Sequence, residues 1–312
     1  MSHKHPFVHS EINAWLTSYH GEPISDLQPM DGGYWSSAFS YRLAGQTQRD
    51  QQELVLRLGD SDVGYRIDQM AQRFSSPALP VPEVLDIGAA LDHKFAISRR
   101  YFGGFIEVAR EQRSQSVCAS LAKLLSALRS NRVVENTIKA NVEWYEPPGK
   151  GASSWHDWLR LGVSGNAETH VLYAPTMRKI EELLPLVPER RELVHGDLLH
   201  QNVLISDDES SQVTGVFSWK CSALGDFLYD VAWCTLWSPW FDVLNADLLW
   251  QLTLDAQDLT ASDLEHAADR HHCYELQIAL SHIGWFITSK DDTNLSRLSH
   301  QLEALLDRGP RK

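Results

Sequence analysis

The spacing of apolar residues changes near residue 104, and this change constrains the fold more than any other feature of the chain. Before it, after a helical stretch at 10–20, short runs with apolar residues predict strands, with one helical repeat among them. The strand runs are residues 38–43, 54–58 and 95–98, and the helical repeat is 63–74. The prolines in residues 79–85 suit an edge strand or its approach. Beyond residue 104, apolar residues recur at helical spacing. The pattern therefore predicts an α+β chain with a small antiparallel N-terminal sheet carrying one helix and a larger, mainly helical C-terminal part.

This division predicts two lobes. Residues 1–100 would form an N-lobe, in which a β-sheet follows an N-terminal helix, and residues 101–312 would form a C-lobe. The total of 312 residues suits a two-lobed enzyme. Within the C-lobe, residues 202–205 and 213–217 predict a short β-hairpin.

Composition narrows the classes of ligand. The formal net charge of −13 disfavours binding to nucleic acid, which needs basic surfaces. The same charge would favour a cationic ligand if the acids clustered, although many soluble proteins are acidic for solubility alone. No apolar run approaches the length of a membrane span, and the N-terminus lacks the apolar stretch of a signal peptide. We therefore predict a cytoplasmic protein with no membrane contact, and nothing in the sequence indicates a protein partner.

The segment from Leu193 to Leu204 carries the strongest chemical signal. It reads L-V-H-G-D-L-L-H-Q-N-V-L and places Asp197 five residues before Asn202. In phosphoryl transfer, an aspartate accepts or orients the proton of the attacking hydroxyl, and an asparagine oxygen is a hard ligand for Mg²⁺. The alternative is a simple Asx turn with Asn202 capping a strand. The flanking apolar strands and the preceding β-rich region favour catalysis.

The motif H-G-D-x-x-x-x-N-V-L resembles that of the aminoglycoside phosphotransferases and the related choline-kinase-like enzymes. Four further segments resemble the family in the same order, namely residues 78–88, 97–100, 225–229 and 237–240. The resemblance implies a protein-kinase-like fold and an enzyme that transfers phosphate from ATP or GTP, with Mg²⁺, to a hydroxyl of a small polar or cationic acceptor. It also implies a role in antibiotic resistance.

The resemblance implies roles for several residues. Asp197 would be the catalytic base and Asn202 a metal ligand, and Ser98, Arg99 and Arg100 would lie at the hinge that meets the nucleotide base. Arg57 stands where most kinases carry a strand lysine, as in the hygromycin-type members, and an arginine can fork onto phosphate oxygens. The alternative for Arg57 is an ordinary surface position on a strand.

Two further features of the N-terminal region belong to this comparison. Asp68 is the only acid in residues 63–74 that could pair with Arg57, one residue short of the usual glutamate position. Ser36 and Ser37 end the segment 31–37, which stands where a phosphate-covering loop is expected, although a plain hairpin turn explains this segment nearly as well.

One position departs from the family pattern. Where the family carries a second metal-binding aspartate, followed by tryptophan, this chain has Ser218 before Trp219. A hydroxyl is a weaker, neutral ligand for Mg²⁺. Two hypotheses therefore remain, namely an active small-molecule kinase and a degenerate kinase-like protein that binds nucleotide or ligand with weak or no transfer.

Four residues are candidates for acceptor recognition. Asp226 and Asp230 could face a cationic sugar, while Trp237 and Trp240 could stack on its rings. The alternatives are that Asp230 caps a helix and that the tryptophans fill a core.

Overall fold

The protein was analysed as a computed structural model, which describes residues 7–31, 36–44, 53–131, 154–163, 165–256 and 258–311. The strands within these residues are β1 (Ile24–Met30), β2 (Ser36–Leu43), β3 (Leu54–Gly59), β4 (Val84–Ala90), β5 (His93–Arg99), β6 (Gly104–Phe105), β7 (Glu192–Val194), β8 (Val203–Ile205), β9 (Val213–Val216) and β10 (Ala223–Gly225). The α-helices are α1 (His9–His20), α2 (Val63–Ala71), α3 (Ser114–Ser130), α4 (Trp155–Leu161), α5 (Tyr173–Leu183), α6 (Leu228–Trp237), α7 (Ala246–Leu254), α8 (Ala261–Leu264), α9 (Ala267–Ser289) and α10 (Asp292–Arg308). Among the helices described, none is long and apolar enough to cross a membrane.

The chain forms two compact units. Unit 1 comprises Met1–Ile106, His200–Asp207 and Val213–Lys220, and unit 2 comprises Glu107–Leu199, Asp208–Gln212 and Cys221–Lys312. The predicted lobes, residues 1–100 and 101–312, follow the chain, whereas unit 1 also takes in the later strands β8 and β9.

The main feature of unit 1 is a five-stranded antiparallel sheet with the strand order β1-β2-β3-β5-β4. Alternate side chains of β3 point into a buried core, which Leu54, Leu56 and Leu58 share with Ile12 and Leu16 of α1. This alternation follows from the pleat of a strand, which directs successive side chains to opposite faces. It leaves Arg57 on the other face of the sheet, half-buried.

A second, three-stranded sheet of unit 1 has the order β6-β8-β9. Gly103 precedes β6 with a φ of +142°, and a Cβ atom there would lie 2.3 Å from the carbonyl oxygen of Ile205. Only glycine allows this close approach of two backbones. The backbone N–H of Phe217 donates to the carbonyl oxygen of Asn202 at 2.9 Å, so Asn202 and the segment that contains Ser218 lie side by side.

Unit 2 is mainly helical. The inward face of α3 carries the predicted apolar series, which includes Val117, Leu121 and Leu128. Every residue of α6 is buried, and α6 packs against α7 and α9. The strands β7 and β10 pair beside these helices. The sheet with one helix, α2, followed by the helical region confirms the α+β prediction.

Candidate functional site

The loop after β7 is held by a single buried carboxylate. The backbone N–H groups of His195 and Gly196 each donate to one oxygen of Asp230, at 2.8 Å. Gly196 has a φ of +77°, and a Cβ atom there would lie 2.5 Å from the carbonyl oxygen of Cys221, so this turn requires glycine. Asp197 follows with its backbone N–H donated to the Nδ1 atom of His195 at 3.2 Å. These three hydrogen bonds thus fix the backbone of the loop that carries the half-buried Asp197 side chain.

The position of Asp230 corrects one prediction. Asp230 is only 1% exposed and uses both oxygens on the loop backbone, so it cannot face a cationic substrate. Burial raises the pKa of its carboxyl to about 7, and the charge of Asp197 acts in the same direction, while the two N–H donors oppose the shift. Asp230 is therefore a residue that positions the loop from its place on α6.

Asp226 is also unavailable to a substrate. Its two oxygens accept from the Nε and Nη2 atoms of Arg270, at 2.7 and 2.6 Å, and one of them also accepts from the hydroxyl of Tyr274 at 2.7 Å. Both partners of this ion pair are fully buried. The prediction that Asp226 binds a cationic sugar is therefore wrong, since its charge is already neutralised inside the protein.

The two tryptophans differ. Trp237 is 2% exposed and meets the rings of Trp240 and His282 edge-on. It therefore fills the core, which was the alternative interpretation, and the prediction that it stacks on a substrate is wrong. Trp240 is half-buried and lies under the guanidinium of Arg297, 4.1 Å from its ring centroid. The guanidinium of Arg297 thus already covers one face of the Trp240 ring. A sugar ring could stack on that face only if Arg297 moved away.

In unit 1, Arg57 is held by the predicted acid. Its Nη1 atom donates to Asp68 at 2.6 Å, and the guanidinium lies 4.8 Å from the ring centroid of Tyr65. The second oxygen of Asp68 accepts from the backbone N–H of Trp219 at 2.9 Å. Arg57 and Asp68 therefore pair although Asp68 lies one residue short of the usual glutamate position. One carboxylate of α2 thus positions both the arginine of β3 and the residue that follows Ser218.

The proposed hinge residues follow one another at the end of β5. Ser98 is buried, and its backbone pairs with Val55 and Val84. The backbone N–H groups of Arg99 and Arg100 donate to the carbonyl oxygens of Glu83 and Glu53, and both guanidinium groups form ion pairs with the carboxylates of the same glutamates. A nucleotide base bound here would therefore have to use other polar groups of the segment.

The expected phosphate-covering loop is described only at its end. Ser36 and Ser37 begin β2, opposite Gly59 and Leu58 of β3, and Ser37 is nearly buried. Residues 32–35 lie outside the described residues. The two serines thus belong to a strand and directly precede Ala38, the residue that pairs with Arg57.

The residues expected to bind Mg²⁺ form a weak donor set. Asn202 offers an amide oxygen and Ser218 a hydroxyl, both neutral, and Ser218 has a φ of +62° in the left-handed region. Within the described part of the chain, no group of three or more His, Cys, Asp or Glu side chains is arranged to hold a metal ion. A divalent ion held mainly by carboxylates does not fit this pair of ligands.

Sequence reasoning missed the positioning roles of Asp230 and of Asp68 toward Trp219. The hydrogen bonds concerned join residues 35 and 151 positions apart in the sequence. The only local signal for Asp230 was its place in the first turn of a mainly apolar helix, where a carboxylate needs buried donors.

Comparison with known proteins relates the chain to phosphotransferases. A model described as "Phosphotransferase enzyme family" matches residues 28–267. The chain is 29% identical to hygromycin-B 4-O-kinase of Escherichia coli over 235 residues, which is 70% of this chain and 64% of that enzyme. The match thus spans somewhat less than two thirds of the length of this relative.

The structure is similar to those of solved phosphotransferases. One is a ternary complex of a thermostable mutant of aminoglycoside phosphotransferase APH(4)-Ia with ADP and hygromycin B, at a TM-score of 0.74 and 24% identity, covering 97% of this chain and all of that one (100%). Another is the GDP and kanamycin complex of APH(2")-IIIa, at a TM-score of 0.63 and 14% identity, covering 94% and 97%. The likeness extends over nearly the whole chain and confirms the predicted kinase-like fold.

Proposed function

The chain belongs to the phosphotransferase enzyme family, and from this premise we propose that it transfers the terminal phosphoryl group of ATP or GTP to a hydroxyl of a small polar or cationic molecule. The observation that carries the proposal is the loop at His195–Asp197, whose backbone donates to the buried Asp230 and which leaves the Asp197 carboxylate half-exposed. A catalytic carboxylate must be held in place by its surroundings, and this loop meets that requirement.

The chemistry follows from the residues. Asp197 would orient the acceptor hydroxyl and accept its proton, while the hydroxyl oxygen forms a bond to the terminal phosphorus and the bond to the nucleoside diphosphate breaks. In such a loose transition state the protein acts mainly by positioning and by stabilising charge.

Arg57 supports binding of the nucleotide phosphates. Its guanidinium is permanently charged and is held by Asp68 and Tyr65. Its Nε atom is buried without a hydrogen-bond partner among the described residues, a deficit that a phosphate oxygen would remove.

The acceptor class is inferred from the relatives. A hygromycin-B kinase and two aminoglycoside complexes are among the proteins that the chain resembles, so an aminoglycoside or aminocyclitol is the first class to test. The net charge of −13 is compatible with a cationic acceptor. The carboxylates that bind it must be others than Asp226 and Asp230, because both are buried and satisfied.

A second candidate function follows from Ser218. With a hydroxyl where the family has a carboxylate, the chain would bind nucleotide while transferring phosphate weakly or not at all. Arg57 is held as firmly in that case, so the two candidates share nucleotide binding and differ in turnover and in dependence on divalent cations.

An assay of ADP and GDP release over a panel of aminocyclitols, including hygromycin B and kanamycin, separates the candidates. For an enzyme we expect acceptor-dependent release that Asp197→Ala reduces by about 10³-fold or more, with unchanged nucleotide binding. Equal turnover by the wild type and by Asp197→Ala would exclude the role given to Asp197.

Thermal shift with ATP, in EDTA and in Mg²⁺, tests the second candidate. Stabilisation that does not depend on metal, combined with absent turnover, supports it. The variant Ser218→Asp restores the family carboxylate, and we expect it to make ATP binding depend on Mg²⁺ and to raise any turnover. If it changes neither, the hydroxyl at position 218 does not limit metal-dependent nucleotide binding or turnover.

A further inference from the structure

A cluster of four aromatic side chains lies in unit 2. Its members are Trp155, Trp158, Tyr229 and Tyr274. Trp155, Tyr229 and Tyr274 are buried, whereas Trp158 is only partly buried. Trp158 is thus the member of the cluster that keeps part of its surface accessible to solvent.

The rings of the cluster have fixed relative orientations. Trp155 and Trp158 stack at 4.8 Å with 12° between their planes. Tyr229 meets Trp158 and Trp155 edge-on, at 5.2 and 5.5 Å. Both geometries are favoured by aromatic quadrupoles, so the cluster holds Trp158 in one orientation.

Hydrogen bonds and close packing fix the cluster to its surroundings. The hydroxyl of Tyr229 donates to Gln277 at 3.0 Å, and the amide nitrogen of Gln277 donates to the carbonyl of Leu159, the residue after Trp158. On the opposite side, a Cβ atom on Gly225 would lie 2.4 Å from the ring of Trp155, so this ring packs directly on the backbone of β10. Trp158 therefore lies on a preorganised support, which lowers the entropic cost of binding a ligand.

Tyr229 connects the cluster to the loop. It directly precedes Asp230, the carboxylate that accepts from the backbone of His195 and Gly196. Burial, and then the charges of Asp230, Cys221 and Asp197, raise the pKa of the Tyr229 phenol well above its usual value. The carboxylate that holds the loop and the ring that meets Trp158 edge-on therefore stand at consecutive positions of α6.

We propose that Trp158 contributes to acceptor binding by supporting one ring of an amino sugar or aminocyclitol while a hydroxyl of the same molecule reaches Asp197. This proposal rests on the proposed function. An indole suits the apolar face of a sugar ring and attracts an ammonium group through the ring quadrupole, and Trp158 is only partly buried. A ring bound there enters a site that already carries the negative charge of Asp197, which a cationic acceptor complements.

The test compares the wild type with Trp158→Ala, Trp158→Phe and, as a matched control, Trp285→Ala, which removes a tryptophan of α9 that is 41% exposed and is not in the cluster. Steady-state kinetics with hygromycin B and kanamycin give KM for the acceptor, KM for ATP and kcat. Isothermal titration of the same two compounds gives Kd without turnover. Thermal unfolding reports whether each variant folds, and Trp158→Phe carries the test if Trp158→Ala does not fold.

We expect Trp158→Ala to raise KM and Kd for the acceptor about tenfold, with kcat and KM for ATP nearly unchanged. Trp158→Phe should lie between it and the wild type, and Trp285→Ala should match the wild type. An unchanged acceptor KM in Trp158→Ala, or an equal rise in Trp285→Ala, overturns the proposal.

The two proposals can fail separately. If the wild type binds an acceptor and transfers no phosphate, the proposed function is wrong, and the change in Kd in Trp158→Ala still decides the role of Trp158. If the wild type neither binds nor phosphorylates either compound, the proposal for Trp158 is overturned, whereas turnover of another acceptor of the panel would uphold the proposed function.

Discussion

Asp68 accepts a hydrogen bond from the Arg57 guanidinium at 2.6 Å, and its other oxygen accepts from the backbone N–H of Trp219 at 2.9 Å. A single carboxylate on α2 therefore positions a cation on β3 and the backbone directly after Ser218. Because Asp68 is 6% exposed, loss of its charge would leave two donors poorly satisfied.

Replacement of Asp68 by asparagine should weaken nucleotide binding. The amide keeps the size of the side chain and removes the charge that holds Arg57, so we expect the KM for ATP to rise about tenfold and the free energy of unfolding to fall by about 1–3 kcal/mol. Asp62→Asn is the matched control, since Asp62 forms an exposed pair with Arg66 at the start of the same helix and should cost less than about 1 kcal/mol. Equal effects of the two variants would contradict the positioning role.

The buried Asp230 should impose a pH dependence on stability. Its folded pKa of about 7 lies above the ordinary value of 3.8, so between these values the folded protein holds a proton that the unfolded chain releases. The stability contributed by this group is therefore fully present below about pH 4 and is lost as the pH rises toward 7. Urea unfolding of the wild type and of Asp230→Asn at several pH values checks this, and the difference between them should change across this window.

The control for this measurement is Asp26→Asn, because the side chain of Asp26 is 62% exposed. Its pH dependence should match that of the wild type. A constant difference in stability between the wild type and Asp230→Asn at all pH values would show that Asp230 does not titrate in this range.

The ion pair of Asp226 and Arg270 should be a large single determinant of the stability of unit 2. Both side chains are fully buried, so Arg270→Met leaves a carboxylate without its counter-charge, and we expect a loss of about 3–5 kcal/mol in the free energy of unfolding. Arg160→Met, which breaks an exposed pair with Glu181, should cost less than about 1 kcal/mol. The double variant Asp226→Asn/Arg270→Met should cost less than the sum of the single variants, and additivity in this cycle would contradict the pairing.

The glycine in the H-G-D motif should be needed for activity. At Gly196 an added Cβ combines a positive φ with an approach of 2.5 Å to the carbonyl oxygen of Cys221, so Gly196→Ala must shift the loop that carries Asp197. We expect kcat to fall about 10²-fold, the usual consequence of misplacing a catalytic group by an ångström. Gly165→Ala is the control, because Gly165 also has a positive φ of +96° but no atom within 4 Å of an added Cβ. If both variants keep wild-type kcat, the tight turn at Gly196 is not important for catalysis.

Much of the fold could be predicted because its signals are local. The alternation in β3 and the helical repeat in α3 repeat every few residues, and the structure shows the expected elements at both places. The spacing of Asp197 and Asn202 is also local, and with the neighbouring segments it pointed to the family that the comparison confirms. The predicted partner of Arg57 was found in the same way, from the acids available on a single helix.

The sequence by itself thus determined the division into a β-rich and a helical region, the family and the candidate catalytic loop, because each depends on residues a few positions apart. Only the tertiary structure decided which acids are available to a ligand. Asp226 lies just before α6 and Asp230 in its first turn, α6 is buried on every side, and the partners of the two acids are 44 and 35 positions away. The desolvation of a carboxylate depends on everything that packs around it, and the pattern of its own helix does not show whether a distant arginine or backbone N–H completes it.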